Sequence, residues 1–232
     1  MNLWYPPILA YHRVHPTLGF DSPTIPPEIF EKQMAILAKR WKPMTLLDLV
    51  RRLEKNRPLD RREVAVTFDD GTEDNFTCAY PILARYKIPA TIFIITDNIG
   101  RAGSLGEGQI RQMTKDGIVF GSHAAHHAYL PKLPMDRVRT ELTESRKKLQ
   151  EMGLAADLFS YPAGGFSREI AQAVREAGYR AACTTNRGFR HFPIDRWALR
   201  RITMHANVAH PLGIWLRCCG YYGLNRRLRF PS

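Results

Sequence analysis

Long apolar runs are missing from this chain of 232 residues. No stretch approaches the ~20 consecutive apolar residues that a membrane-spanning helix needs, which removes that class. The opening Met1-Asn2-Leu3-Trp4-Tyr5-Pro6-Pro7 has no basic segment feeding an apolar one, so no signal peptide is visible. A cytoplasmic location, or a peripheral one on the inner membrane face, is expected. Paired cysteines are missing too. Cys78, Cys183, Cys218 and Cys219 form no Cys-x-x-Cys and no framework spacing, which argues against a disulfide scaffold and leaves reduced, mostly buried thiols. Linkers rich in Gly/Ser or Pro, and repeats at solenoid spacing, are absent, so one domain is expected over 1–206, followed by a basic, aromatic segment at 207–232. The glycines at 100, 103, 106 and 108 lack the spacing and terminal Lys of a phosphate loop and read as a flexible connection.

Acids are the scarce charge, 22 against 34 Lys and Arg, which favours an anionic partner. The imbalance is concentrated at the end: Arg187, Arg190, Arg196, Arg200, Arg201, Arg217, Arg226, Arg227 and Arg229 face a single acid, Asp195. No nucleic-acid recognition motif accompanies it, so no nucleic acid is expected.

What is present is a 44% apolar composition, enough for a full core, organised around Val64-Ala65-Val66-Thr67-Phe68-Asp69-Asp70-Gly71. A β-branched run that stops at two carboxylates reads as a buried strand carrying acids to its C-terminal end. Adjacent carboxylates raise one another's pKa until a proton or a cation relieves them. A second apolar run, Ile118-Val119-Phe120, ends near His123, His126 and His127. Two imidazoles and one carboxylate suit a divalent transition metal with open positions, which leaves the other Asp free as a base.

Around these, strands and helices alternate. Ile8 to His12 reads as the first strand, Glu28 to Arg40 as an amphipathic helix, and Thr45 as the cap of another with Asp48 as its partner. Asn75 to Lys87 reads as a helix with Pro81 in its first turns, and Ala90 to Thr96 as a buried strand. Glu107 to Asp116 is a short helix closed by Gly117. Asp136 is expected to cap a longer helix that stops at Gly153, and Ser167 to cap one that stops at Gly178. Phe159 to Pro162 and Ala181 to Thr184 are further strand ends. The alternation argues a parallel sheet, closed or open.

Thr67 to Gly71, Ser122-His123 to His127, and Tyr161-Pro162-Ala163-Gly164-Gly165 together resemble the first three motifs of the NodB-type polysaccharide deacetylases, carbohydrate esterase family 4. The segments 8–14, 30–37 and 81–95 resemble the subgroup acting on poly-N-acetylglucosamine. The resemblance implies a distorted, incomplete (β/α) barrel of about seven parallel strands. It further implies hydrolysis of N-acetyl groups with a divalent metal, zinc first, with cobalt or nickel as alternatives. It makes Asp69 the general base and Asp70, His123 and His127 the metal ligands. The backbone N–H of Ala163 becomes the oxyanion donor, with Tyr161 beside it. His12, in Leu9-Ala10-Tyr11-His12, takes the place of the leaving-group acid.

The chain departs from the family at Ala124, where Ser or Thr follows the first His, and at Ala163, where an aromatic follows the Pro. It departs again at Ser160, where an Arg orients the base. Arg201 is the expected replacement and Arg200 the fallback. Trp197 is a sugar-stacking or core residue, and His126 a solvated or supporting one. His15, His191, His205 and His210 read as structural or exposed. The implied partner is an N-acetylated glycan, polymeric or lipid-linked. Leu212, Trp215, Leu216 and Cys219 on one helical face, followed by Tyr221, Tyr222, Arg226, Arg227, Arg229 and Phe230, suit an anionic membrane surface. The rival reading is a catalytically impaired sugar-binding protein on the same scaffold.

Overall fold

The computed structural model describes residues 5–17, 23–185 and 194–218. Arg187, Arg190, His191, Cys219 and the aromatic and arginine cluster at 221–230 lie outside them.

The chain opens with β1 (Ile8–Tyr11), a short parallel pair β2 (Arg13–Val14) and β3 (Thr24–Ile25), and α1 (Pro27–Arg40). There follow β4 (Lys42–Met44), α2 (Leu46–Glu54), β5 (Glu63–Phe68), α3 (Tyr80–Arg85) and β6 (Ala90–Ile94). Next come α4 (Glu107–Lys115), β7 (Val119–Ser122), α5 (Met135–Glu151), β8 (Leu158–Ser160) and α6 (Arg168–Glu176). The described chain closes with β9 (Ala181–Thr184), β10 (Leu199–Arg200), β11 (Ile202–Thr203) and α7 (Pro211–Cys218). The helix caps at Thr45 and Ser167 form as the spacing predicts, with N–H groups of Asp48 and Ile170 donating to the hydroxyls.

The main sheet is parallel throughout, in the order β10-β9-β8-β7-β6-β5-β1-β11, with β4 added beside β5. Eight strands therefore run around a nearly closed barrel, in keeping with the about seven expected, and β10 and β11 are too short for periodicity to reveal. The two lie on either side of Arg201 and pair with opposite ends of the sheet. Leu199 and Arg200 register with Cys183 and Thr184, while Ile202 and Thr203 register with Leu9 and Ala10. One pentapeptide thus spans the seam, and Arg201 sits on it.

Alternation along β5 sorts its side chains. Val64, Val66 and Phe68 pack outward against α1, α3 and α4 with Phe30, Met34, Leu83 and Ile110. Ala65 points inward with Ile8, Phe93, Leu158 and Cys183, above a plug of leucines from α2. Thr67 and Asp69 continue that inward line. A third cluster, with Phe159, Tyr161, Val174 and Tyr179, joins β8 and β9 to α5 and α6. Each large side chain buried in this way contributes roughly 1.5–3 kcal/mol.

Two helix starts differ from expectation. α5 begins two residues earlier, with Pro134 at the cap and Asp136 inside the first turn, where its charge meets the positive helix end. The helix after the Asp pair opens as a π turn over Asn75–Ala79, which accommodates Pro81 and its missing N–H before α3 proceeds.

Candidate active site

Asp69 ends the inward line of β5, and its backbone N–H donates to Tyr11 O at 3.0 Å. Its carboxylate is 3% exposed and receives both arms of Arg201, at 2.7 and 2.6 Å. Burial by itself would raise the Asp69 pKa. The Arg201 guanidinium overcomes it and holds the group well below the usual carboxylate range. Arg201 also donates to Thr67 and to the hydroxyl of Ser160, so the serine at the position of the missing arginine accepts a bond from its replacement. The backbone N–H of the neighbouring Arg200 donates to the Tyr5 hydroxyl.

Asp70 follows in the left-handed region, at φ 71°, and so does Gly71 at 65°. His123 follows β7, its backbone N–H bonded to Ile94 O at 2.8 Å. Its Nδ1 lies 2.8 Å from the carbonyl of Ser160. A carbonyl only accepts, so Nδ1 carries the proton and Nε2 keeps a lone pair. Burial lowers the His123 pKa, which favours that neutral form. Nε2 of His123 and Nε2 of His127 lie 3.6 and 3.5 Å from the same Asp70 oxygen. One donor atom from each of the three residues falls within 4.8 Å of the others. The donor set and the protonation of His123 both fit a divalent zinc-like ion.

His12 completes the cleft, its Nε2 3.9 Å from Asp69. Its backbone is tethered by Asn75, which donates to His12 O at 2.9 Å. Asp74 holds the next two residues through Arg13 Nε at 2.7 Å and the Val14 N–H at 3.1 Å. Opposite, Ala163 stands at φ 52° in the turn after Tyr161, which Thr184 braces by donating to Gly164 O. The cleft is about 160 Å³ and is lined by His12, Asp69, Asp70, His123, His127, Ala163 and neighbours. Asp70, Ala124, His127 and Ala163 are four of the seven non-glycine residues with positive φ among those described. Backbone strain is concentrated here, as it is at functional sites.

The family model for polysaccharide deacetylases matches residues 56–182. YxkH of Bacillus subtilis is 31% identical over 205 residues, 88% of this chain and 72% of that protein. The chain belongs to the polysaccharide deacetylase family. It is an enzyme of the hydrolase class. The poly-beta-1,6-N-acetyl-D-glucosamine N-deacetylase of Staphylococcus aureus is 28% identical over 142 residues, 55% of this chain and 49% of its own length. This chain thus matches only about half of that relative. The deacetylase PplD of Streptococcus pyogenes, solved with acetate, superposes with a TM-score of 0.84 at 26% identity, covering 92% of this chain and 97% of that one.

Not every residue singled out in the deacetylase sequence reaches the cleft. Tyr161 is among the residues lining the cleft, fully buried, and its hydroxyl donates to Trp197 O at 2.8 Å. Trp197 is not among the residues that line the cleft. Its indole N–H donates to Tyr179 O, and the guanidinium groups of Arg175 and Arg196 lie over its ring at 5.1 and 4.9 Å. The glycine loop is not a loose connector either: Leu105 N–H donates to Gly71 O and Glu73 N–H to Gly103 O, fastening it to the Asp-Asp-Gly turn. One residue went unnoticed in the sequence. Glu141, 4% exposed on α5, binds the backbone between the two histidines. An acid beside the inward stripe of Val138, Leu142 and Leu149 was its visible signal.

Proposed function

We propose that this deacetylase is a metal-dependent N-deacetylase acting on N-acetylhexosamine units of a glycan, polymeric or lipid-linked. The observation that carries the reading is one cleft holding an Arg201-clamped Asp69, the set Asp70, His123 and His127, and His12. Asp70, His123 and His127 would hold a divalent ion, zinc first, which when bound polarises the amide carbonyl and acidifies water. Asp69, kept ionised by Arg201, takes the proton of the attacking water as its oxygen bonds to the acetyl carbon. The Ala163 N–H donates to the oxygen that gains charge. His12 gives a proton to the amide nitrogen as the C–N bond breaks, leaving acetate and a free amine on the sugar. The acetate in PplD, the product of such a reaction, supports the assignment.

Acetate release from N-acetylglucosamine oligomers tests it. Release that chelation abolishes and zinc restores is expected. Oligomer binding without release, at any metal supplied, would favour the sugar-binding alternative and overturn this one.

A peripheral membrane location is proposed from α7. Ile214 and Cys218 face the barrel, whereas Leu212, Trp215 and Leu216 are 61%, 50% and 40% exposed. Exposed Lys32, Lys39 and Arg40 lie on α1, which packs on α7, and the chain carries a net charge of +12. An apolar ridge beside basic groups suits an anionic lipid surface, from which a lipid-linked glycan could be met.

A further inference from the structure

The two imidazoles of the cleft are four residues apart but share no helix. The backbone between them passes through the left-handed region at Ala124, φ 65°, and again at His127, φ 59°. A residue with a Cβ resists that conformation, so the loop needs an outside hold to keep it.

Glu141 supplies such a hold from α5. Its Oε2 accepts the N–H groups of Ala125 at 3.0 Å and His126 at 2.9 Å, and its Oε1 takes His126 Nδ1 at 2.8 Å. The far nitrogen of the same ring lies 3.0 Å from Asp97. Three charge-assisted contacts therefore run from one buried carboxylate to the two residues between His123 and His127. Ser122 adds a fourth anchor, accepting the Ala124 N–H at 3.1 Å while donating to Ser145 of α5. Among the described residues, the hydrogen bonds of the Glu141 carboxylate go to this loop.

We propose that Glu141 is a positioning residue for the imidazole pair. By fixing the backbone of Ala125 and His126 it sets the separation and aim of His123 and His127, and with them the affinity for the divalent ion. The inference rests on the metal reading given above.

Zinc titration of the metal-free full chain, with cobalt absorption as a second readout, tests it. Glu141→Ala should bind zinc about 10–100-fold more weakly, the usual effect of removing a group that orients a ligand. Glu141→Gln should remain near the parent, because its amide oxygen can still accept both N–H groups while its NH2 donates to the other tautomer of His126. Asp70→Ala should lose binding. Should Glu141→Ala not fold, Glu141→Asp decides, since a carboxylate withdrawn by one methylene should also weaken zinc binding. A folded Glu141→Ala or Glu141→Asp with parent affinity would overturn the proposal, as would a lowered Tm with zinc affinity unchanged. If Asp70→Ala bound zinc as the parent does, the metal reading itself would fall.

Discussion

Arg201 holds both oxygens of Asp69 from the seam where the sheet closes on itself. Both groups are buried, so neither charge has water as a substitute partner. The folded Asp69 pKa is depressed, so the stability this pair adds is present above the unfolded value near ~3.9 and is lost as pH falls through the folded one. Arg201→Met should reverse the balance and let burial raise the Asp69 pKa. Its acid limb in kcat/KM should move to higher pH, with a loss of about 10²-fold or more at neutral pH. The fold should lose about 3–5 kcal/mol in denaturant titration, and Arg201→Met with Asp69→Asn should regain part of it. An acid limb that stays in place would show that Arg201 does not govern Asp69.

His12 reaches the cleft from the first strand, on a backbone fastened by Asn75 and Asp74. If it protonates the leaving amine, His12→Ala should cost about 10²–10⁴-fold in kcat on an N-acetyl substrate. A 4-nitrophenyl acetate substrate, whose leaving group departs unprotonated, should lose far less. Equal losses on both substrates would assign His12 to another task.

What the sequence made legible follows from how local each signal is. Val64 to Phe68 is buried on both faces, so its β-branched run and its abrupt end in two acids read directly as a strand delivering carboxylates. The histidines after β7 are visible for the same reason. Arg201 is different. Its neighbours β10 and β11 are two residues each, and their closure of the sheet is set by pairings with β9 and β1 that no periodicity encodes. Only the family resemblance pointed there. Trp197 stayed open between sugar and core because an aromatic ring reads alike whether its face meets a sugar or, as here, two guanidinium groups. Glu141 was hard to see because two of its three partners are backbone N–H groups, which carry no residue identity.

Gly121 offers a test of the fold just before the histidine loop. A Cβ added there would lie 2.8 Å from Leu158 O and 2.8 Å from the Phe93 ring, inside the layer where β6, β7 and β8 meet. Gly121→Ala should destabilise the protein by about 1–3 kcal/mol, since neither a strand carbonyl nor a packed ring can give way cheaply. Urea unfolding measures it, and an unchanged midpoint would mean the barrel wall is looser than its packing indicates.

The apolar ridge of α7 can be tested apart from catalysis. Flotation with phosphatidylglycerol vesicles should carry the full chain upward, more weakly as salt rises, while phosphatidylcholine vesicles should carry little. Leu212 and Trp215 protrude and make no part of the packed face formed by Ile214 and Cys218, so replacing them leaves the core intact. Each large apolar side chain buried in lipid is worth roughly 1.5–3 kcal/mol, so Leu212→Glu with Trp215→Glu should lower partitioning by about 100-fold or more. Acetate release from soluble oligomers should be unchanged by the pair. Retained flotation of the double variant would assign the attraction to the basic groups alone, and no flotation of the parent would remove the membrane from the account.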